Sequence, residues 1–463
     1  MVEFNGSIRI LGFGSIGSGL IPLLLKHFDP KQISIMSSDD RNYQVAEKYG
    51  IMHCVYPITK DNFKSVLESW INPGDFLINL SVDVSSKALI EWCSTNQVLY
   101  LDTCIEPWAG YYTDTTIPPE RRSNYALRQD VLDLRKNWEN NLNKTTPTAI
   151  IAHGANPGVV NHFVKRALLD IARRLSSCDT PTSQEEWAVL AKNVGLKVIH
   201  IAERDTQTPS TPKTVGEFVN TWSIDGFVSE GLQPSELGWG SHERELPTDG
   251  NTYSWGCKSS IWLNRPGCTT KVRSWTPQEG PYQGWIITHN ESIGIADFFT
   301  AKDGYRPTVH YAYHPCDSAV LSIHELAGKK YQQQESQRLI VDEVVSGVDE
   351  LGVLLMGDFG AYWYGSLLDI DTARNLAPHN NATSLQVVAP VLAGVLWAIE
   401  NPNAGILEAD DLPFEDILAV TDPYMGQLVG AWTSWTPLDN RGILFPEDLD
   451  LDDPWQFKNF RVV

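Results

Sequence analysis

The segment Ile10–Leu20, reading ILGFGSIGSGL, constrains the fold more than any other stretch of this chain. The apolar run Ile8–Leu11 predicts a buried strand. Gly12, Gly14 and Gly17 then form a G-x-G-x-x-G turn before an apolar helix that opens over Leu20–Leu25. The three glycines serve different ends. The first allows the tight turn, the second lets backbone approach a pyrophosphate, and the third lets helix and strand pack closely. The helix start offers free N–H groups and a partial positive charge to phosphates, which adds Ser15 and Ile16 to the cofactor-binding candidates. The second predicted strand, Gln32–Met36, is followed by Ser37, Ser38, Asp39 and Asp40. An acid at that strand end holds the adenosine ribose, so Asp39 is a candidate contact. The lack of a basic cluster there favours NAD over NADP, with only Arg41 close by.

At 463 residues the chain exceeds one core and predicts two or three domains. A net charge of −21 argues against nucleic acid as a partner. It suits a cationic partner, and equally suits plain solubility. The seven cysteines are scattered and never form C-x-x-C, so they read as reduced thiols in a cytoplasmic protein. The start MVEFNGS lacks the basic and apolar regions of a secretory signal. The longest apolar stretch, Val387–Ile399, contains Pro390 and Gly394 and reads as a core helix instead of a membrane span.

Residues 1–155 alternate short apolar strands (Ile8–Leu11, Ile33–Met36, Phe76–Leu80, Val98–Asp102, Ala149–Ala152) with helical patterns near 16–27, 60–72, 85–95 and 120–140. This is an α/β pattern and predicts a Rossmann-type, doubly wound parallel sheet that binds NAD beyond its strand C-termini. Ser81 and Asp83 in NLSVDVSS, Glu106 in LDTCIEPW and Asn156 in HGANPG fall on that side. Asp83 also reads as a helix N-cap, and Asn156-Pro157-Gly158 as the plain start of a helix reaching Leu175. Over 156–375 glycine, proline, threonine and tryptophan become dense. Strand-like runs at Lys197–Ala202, Phe218–Ser223, Ser260–Leu263, Trp285–Thr288 and Thr308–Tyr313 predict a second, mixed α+β domain. Residues 376–463 predict a helix at 383–400 and a loop-rich acidic tail that packs back on the body, with Trp455 and Phe457 tucked in.

The densest polar cluster flanks Trp222, in IHIAERDTQ at 199–207 and FVNTWSIDGFVSEGL at 218–232. In an extended strand Glu203 shares a face with Ile201 and Asp205, and Trp222 with Asn220. Carboxylates beside an indole suit a small organic cation, the ring face adding a cation–π attraction of about 0.5–2 kcal/mol. The plainer alternative is a surface strand pair with Arg204 ion-paired and Trp222 in the core. His289, beside Asn290 and Glu291, reads either as a proton shuttle or as a structural histidine. His310 and His314 are spaced four apart, but Tyr311, Tyr313 and Pro315 place them in a strand, which is not zinc geometry, so no metal is expected. No nucleophile elbow or P-loop accompanies these features.

A set of segments runs in order along nearly the whole chain: GFGSIG, NLSVDVSS, EPW, SNYALR, GANPG, IHIAERDTQ, VNTWSIDGFVSEGLQP, ELGWG, RSWTP, THNESI, YRPTVHYAYHPC, DELGVLL, AYWYGS, AIENPNAGILEADDL and DPWQF. Together they resemble the bacterial homospermidine synthases, relatives of the saccharopine dehydrogenase-like proteins. The resemblance implies a homodimeric transferase with tightly held NAD, its second domain serving substrate binding and dimerisation. It would oxidise putrescine, or a related polyamine, to an imine. A second putrescine would then displace ammonia, and the stored hydride would reduce the new imine. It further implies that Trp222 is a cation–π wall and that Glu203 and Glu230 hold ammonium ends. His289 and Asn156 would line the reacting centre, with Asp83 and Glu106 near the substrate. One departure stands out: the resemblance calls for an acid where Ser37 stands, so ribose binding passes to Asp39 or to the serine hydroxyls. Two other functions fit the residues less well. A saccharopine or carboxyspermidine dehydrogenase would need Arg or Lys for its carboxylated substrate, and a non-catalytic NAD-binding protein would not need the acids and Trp.

Overall fold

The computed structural model describes residues 3–140, 146–176 and 178–462. Seven parallel strands form the first sheet: β1 (Ile8–Leu11), β2 (Ile33–Ser37), β3 (Met52–Val55), β4 (Phe76–Asn79), β5 (Leu99–Asp102), β6 (Ala149–Ile150) and a strand at Ile406–Leu407. Their spatial order is Ile406–Leu407, β6, β5, β4, β1, β2, β3. The order reverses between β1 and β4, and in such sheets a ligand lies in the crevice outside that reversal. Strands β1, β2, β4 and β5 are apolar and almost wholly buried, as expected for a sheet covered on both faces. Helices α1 (Ser15–Leu24), α2 (Tyr43–Lys48), α3 (Phe63–Trp70), α4 (Ser86–Asn96) and α5 (Asn124–Glu139) link or follow them. The pair α2 and β3 has no clear sequence signal, because β3 is a largely exposed edge strand (MHCV) with no apolar run.

From the end of β6 the turn 152–158 leads into α6 (Val159–Leu175), which packs on the second sheet. That sheet is mixed. Its centre is β7 (Leu196–Asp205), flanked by a parallel strand at Thr308–His314 and an antiparallel strand at Val348–Gly357. It spans 11 strands. Two strand expectations need correction. The run Trp285–Thr288 is not a strand: the strand is Gly280–Trp285, and Ile286, Ile287 and Thr288 are buried in the loop beyond it. Their apolarity reports burial, which an apolar run alone does not separate from pairing. The strand near Trp222 ends at Asn220 because Ser223 caps a helix, its Oγ accepting from the Gly226 amide at 3.2 Å. Trp222 therefore sits in a turn and does not share a strand face with Asn220. The helix that Ser223 caps spans Ile224–Leu232 and carries Glu230 in its last turn.

The apolar segment 387–399 lies within the helix Ala382–Glu400. By length and composition this helix could cross a membrane, but 83% of its most apolar stretch is buried inside the protein. It packs on α1 and β5. The tail closes on the second sheet, with Trp455 and Phe457 buried as the sequence predicts.

Candidate active site

The Gly-rich turn joins β1 to α1 at the sheet's reversal point. Gly12 has φ +91°, and a Cβ there would lie 2.5 Å from the Leu80 carbonyl oxygen, so only glycine fits. Nothing lies within 4 Å of a Cβ placed on Gly14, which leaves open space above the turn. Gly14 is the N-cap of α1 and supplies no side-chain cap. The first-turn amides, including those of Ser15 and Ile16, therefore have no capping side chain, and such N–H groups suit a pyrophosphate. The residues present fit a dinucleotide. Across the crevice Ser81 donates to Asn79 Oδ1 through both its amide (3.2 Å) and its hydroxyl. At the end of β2 the Ser37 hydroxyl is engaged by the Asp39 carbonyl and by His53 Nε2 at 2.6 Å. Asp39 pairs with Arg41 at 2.7 Å, and this partner holds its carboxyl below the usual range.

Asp83, Glu106 and Asn156 follow β4, β5 and β6 respectively, all at the strand C-termini. Asp83 does not cap α4; Ser85 does, accepting from the Ala88 amide. Asp83 instead stands at φ +65°, exposed, its carboxyl pushed up by partial burial and by Asp225. Glu106 is buried, and its Oε2 has no hydrogen-bond partner among the described residues. Burial, with Glu230 and Asp83 adding like-charge repulsion, pushes its pKa up to about 8.

The second domain brings the rest together. Glu203 on β7 is buried. Its Oε2 accepts from Asn156 Nδ2 at 2.9 Å and from the Tyr311 hydroxyl. Burial pushes its pKa up to about 8, opposed by the Tyr311 bond, with Asp205 raising it and His289 and Asn156 lowering it. The His289 ring lies 4.5 Å from that of Tyr311. Its Nε2 meets Glu230 Oε2 at 3.1 Å and its Nδ1 lies 3.3 Å from Glu291 Oε1. Burial works against its charge, but Glu291 and Glu230 on either side raise its pKa well above the ordinary value. His289 thus lies between the side chains of Glu230 and Glu291, which favour its charged form. Trp222 Nε1 donates to the Tyr313 hydroxyl at 3.1 Å, and the Tyr313 ring stacks on that of Tyr311 at 5.1 Å. Arg204, on the same strand as Glu203, is turned to Glu279 and Asp317 at 3.6 and 3.5 Å.

Asn156, Glu203, His289 and Glu230 therefore form one chain of contacts through Tyr311. Trp222 joins through Tyr313, and Glu106 and Asp83 are coupled to it by charge. Tyr311 and Tyr313 stand in this cluster although the sequence does not single them out, whereas Glu291 is the carboxylate the sequence already places beside His289. The two tyrosines alternate in VHYAYH, which marks a strand and nothing more; on a strand parallel to β7, that alternation aims both at the face carrying Glu203. An arrangement of buried carboxylates around one imidazole and an indole can hold an organic dication and move protons on and off its nitrogens.

Residues 8–149 match the family model described as the saccharopine dehydrogenase NADP binding domain, and residues 154–433 match the saccharopine dehydrogenase C-terminal domain. The homospermidine synthase of Blastochloris viridis is 50% identical over 99% of this chain and 98% of its own length. The chain belongs to the homospermidine synthase family. The Mesorhizobium japonicum homospermidine synthase is 46% identical over 99% of this chain and 97% of its own. A crystal structure of the family member from Legionella pneumophila, in complex with NAD, superposes with a TM-score of 0.92 at 46% identity, covering 99% of this chain and 98% of that one. The yeast saccharopine dehydrogenase shares the fold more distantly, with a TM-score of 0.52 at 10% identity.

Proposed function

We propose that this protein joins two putrescine molecules into homospermidine with release of ammonia, as a cytoplasmic homodimer. NAD, held on the Gly12–Gly17 turn, accepts a hydride from the first putrescine and returns it to the final imine. NAD is preferred to NADP because Arg41 is already neutralised by Asp39, while burial lowers the His53 pKa and keeps that ring uncharged. The observation that carries the reading is the cluster of Glu203, Glu230 and Glu106 with His289 and Trp222, linked through Tyr311 and Tyr313 and lying near the C-terminal ends of the strands that would hold the cofactor.

Putrescine enters as a dication, since alkyl amines titrate near the lysine value of about 10. Hydride leaves only a carbon whose nitrogen is neutral, so one end must lose a proton while the other keeps its charge. Glu203, oriented by Asn156, takes that proton, with His289 lining the reacting centre. Glu230, Glu106 and Asp83 hold the charged end, and Trp222 covers the chain between. The amine of the second putrescine attacks the imine carbon as a free base, ammonia departs with a proton returned by Glu203, and the new C=N bond is then reduced. The aromatic wall of buried Tyr311 and Tyr313 with half-buried Trp222 keeps water from hydrolysing the imine.

The direct test is to incubate the protein with NAD and putrescine, weigh the polyamine products by mass spectrometry and follow NADH absorbance. Homospermidine and ammonia should form in equal amounts without net NADH. Stoichiometric NADH without a new polyamine would instead indicate a net dehydrogenase. Trp222 offers a second test. Trp222→Ala should lower kcat/KM for putrescine by roughly ten- to thirty-fold, the size of a desolvated cation–π contact, and Trp222→Phe by less, because a ring face remains. Equal losses in the two variants would mean that the indole acts only by packing.

A further inference from the structure

The turn that presents Asn156 to Glu203 is held by a group outside the reacting centre. Asp102, the last residue of β5, is fully buried. Its Oδ1 accepts the Ala152 amide at 2.6 Å, its backbone carbonyl accepts the His153 amide at 2.8 Å, and its Oδ2 accepts the Tyr100 hydroxyl at 2.7 Å. Ala152 has φ +51°, a conformation that costs a residue with a Cβ. Beyond it the turn closes on itself, the Gly154 amide donating to the Pro157 carbonyl at 2.7 Å and the Val159 amide to the Gly154 carbonyl at 2.9 Å. Asn156 projects from this loop to Glu203 Oε2 at 2.9 Å. A buried carboxylate is an expensive way to hold an amide and a hydroxyl; burial pushes the Asp102 pKa up to about 6 even though the Ala152 amide, Ser86 and Tyr100 work against it. A strained residue in the turn beyond one strand and a costly buried acid at the end of its neighbour, directly behind a reacting group, are what backbone strain maintained for function looks like.

We propose that Asp102 is a positioning residue for the reaction: its carboxylate pins Ala152 in the left-handed conformation and so fixes the 152–158 turn that aims Asn156 at Glu203. This rests on the reading of Asn156 and Glu203 as parts of the reacting centre. Asp102 touches neither substrate nor cofactor in this role and acts only through Asn156. The groups that face Glu203 from its packed neighbours are Tyr311, Tyr313, Tyr282, His289, Asp205, Asp349 and Asn156, and Asp102 bonds to the turn that carries the last of them.

The test compares wild type with Asp102→Ala, Asn156→Ala, their double variant, and Asp102→Ala combined with Ala152→Gly. Homospermidine formation is followed across pH, and folding by circular dichroism and melting. Asp102→Ala should lower kcat about a hundred-fold, the effect of misplacing a reacting group by about an ångström, with KM for putrescine moving far less. Because Asn156 donates to the charged form of Glu203, losing that bond should move the limb of the kcat/KM profile to higher pH by roughly one unit. Asn156→Ala should move it equally, and the double variant should be no worse than Asn156→Ala alone. Ala152→Gly should restore most of the turnover lost in Asp102→Ala, since glycine takes positive φ unaided. A folded Asp102→Ala variant with wild-type kcat and pH profile overturns the proposal. So do losses that multiply in the double variant, and so does an Asp102→Ala, Ala152→Gly protein that folds yet stays as slow as Asn156→Ala. Absence of homospermidine from the wild type would overturn the functional reading itself and is seen before any variant is compared.

Discussion

Replacing Glu203 by glutamine should lower kcat for homospermidine formation by about a hundred- to ten-thousand-fold, the range for losing a positioned proton acceptor. Glutamine keeps an oxygen for the Asn156 and Tyr311 donors, so the pocket should survive and only the proton chemistry be lost. The pH dependence separates this from a folding defect. With its pKa near 8, Glu203 is mostly protonated at neutral pH in the substrate-free protein. Wild-type kcat/KM should therefore rise with pH through a limb near 8, and E203Q should lack that limb. Stability runs the other way. An exposed glutamate titrates at about 4.3, so between there and about 8 the folded chain holds a proton that the unfolded chain has lost. This contribution favours folding below about pH 4 and is lost as pH rises through about 8. E203Q escapes the loss and should be more stable than wild type at pH 9, by on the order of 2–4 kcal/mol, with little difference at pH 4. Thermal melts at the two pH values check this. A variant less stable than wild type at pH 9 would mean that the carboxylate is structural.

The second large effect divides Gly12 from Gly14. Gly12→Ala forces a Cβ to within 2.5 Å of the Leu80 carbonyl at φ +91°. It should destabilise the fold by roughly 2 kcal/mol or more and abolish NAD binding with it. Gly14→Ala meets no protein atom within 4 Å, so its melting temperature in the absence of cofactor should match wild type. Its methyl group stands where the pyrophosphate must approach, and overpacking of about 1–3 kcal/mol should weaken NAD roughly ten- to hundred-fold. Titration calorimetry with NAD reads both. Unchanged affinity in Gly14→Ala would place the dinucleotide elsewhere.

These effects follow from features that differ in how plainly the sequence states them. The Gly-rich turn, strands β1, β2, β4 and β5 and the long helix near 383–400 are local patterns, and periodicity together with glycine placement is enough to find them. Glu203, Trp222, Glu230, His289 and Asn156 are legible because acids, an indole and a histidine cluster in marked segments and resemble a known family. Tyr311 and Asp102 are not legible in this way. Each acts through a contact made by tertiary structure: Tyr311 by the pairing of two distant strands, and Asp102 by a bond to the Ala152 amide in the turn beyond the neighbouring strand. Burial, which raises the pKa of Glu106 and Glu203, likewise has no signature in a run of residues. The strand-two end shows the same limit, since only the structure shows Ser37 tied to His53 and Asp39 tied to Arg41.

The short strand Ile406–Leu407 pairs with β6 and completes the sheet that begins at Ile8. On the ribosome, that sheet lacks its edge until nearly nine-tenths of the polypeptide has been made. The helix Ala382–Glu400, which covers α1, also arrives late. The nucleotide-binding half, although encoded first, should mature last and only together with the whole chain. Nascent chains halted before residue 382 should therefore expose the α1 surface to protease and chaperones, whereas chains released beyond residue 407 should not.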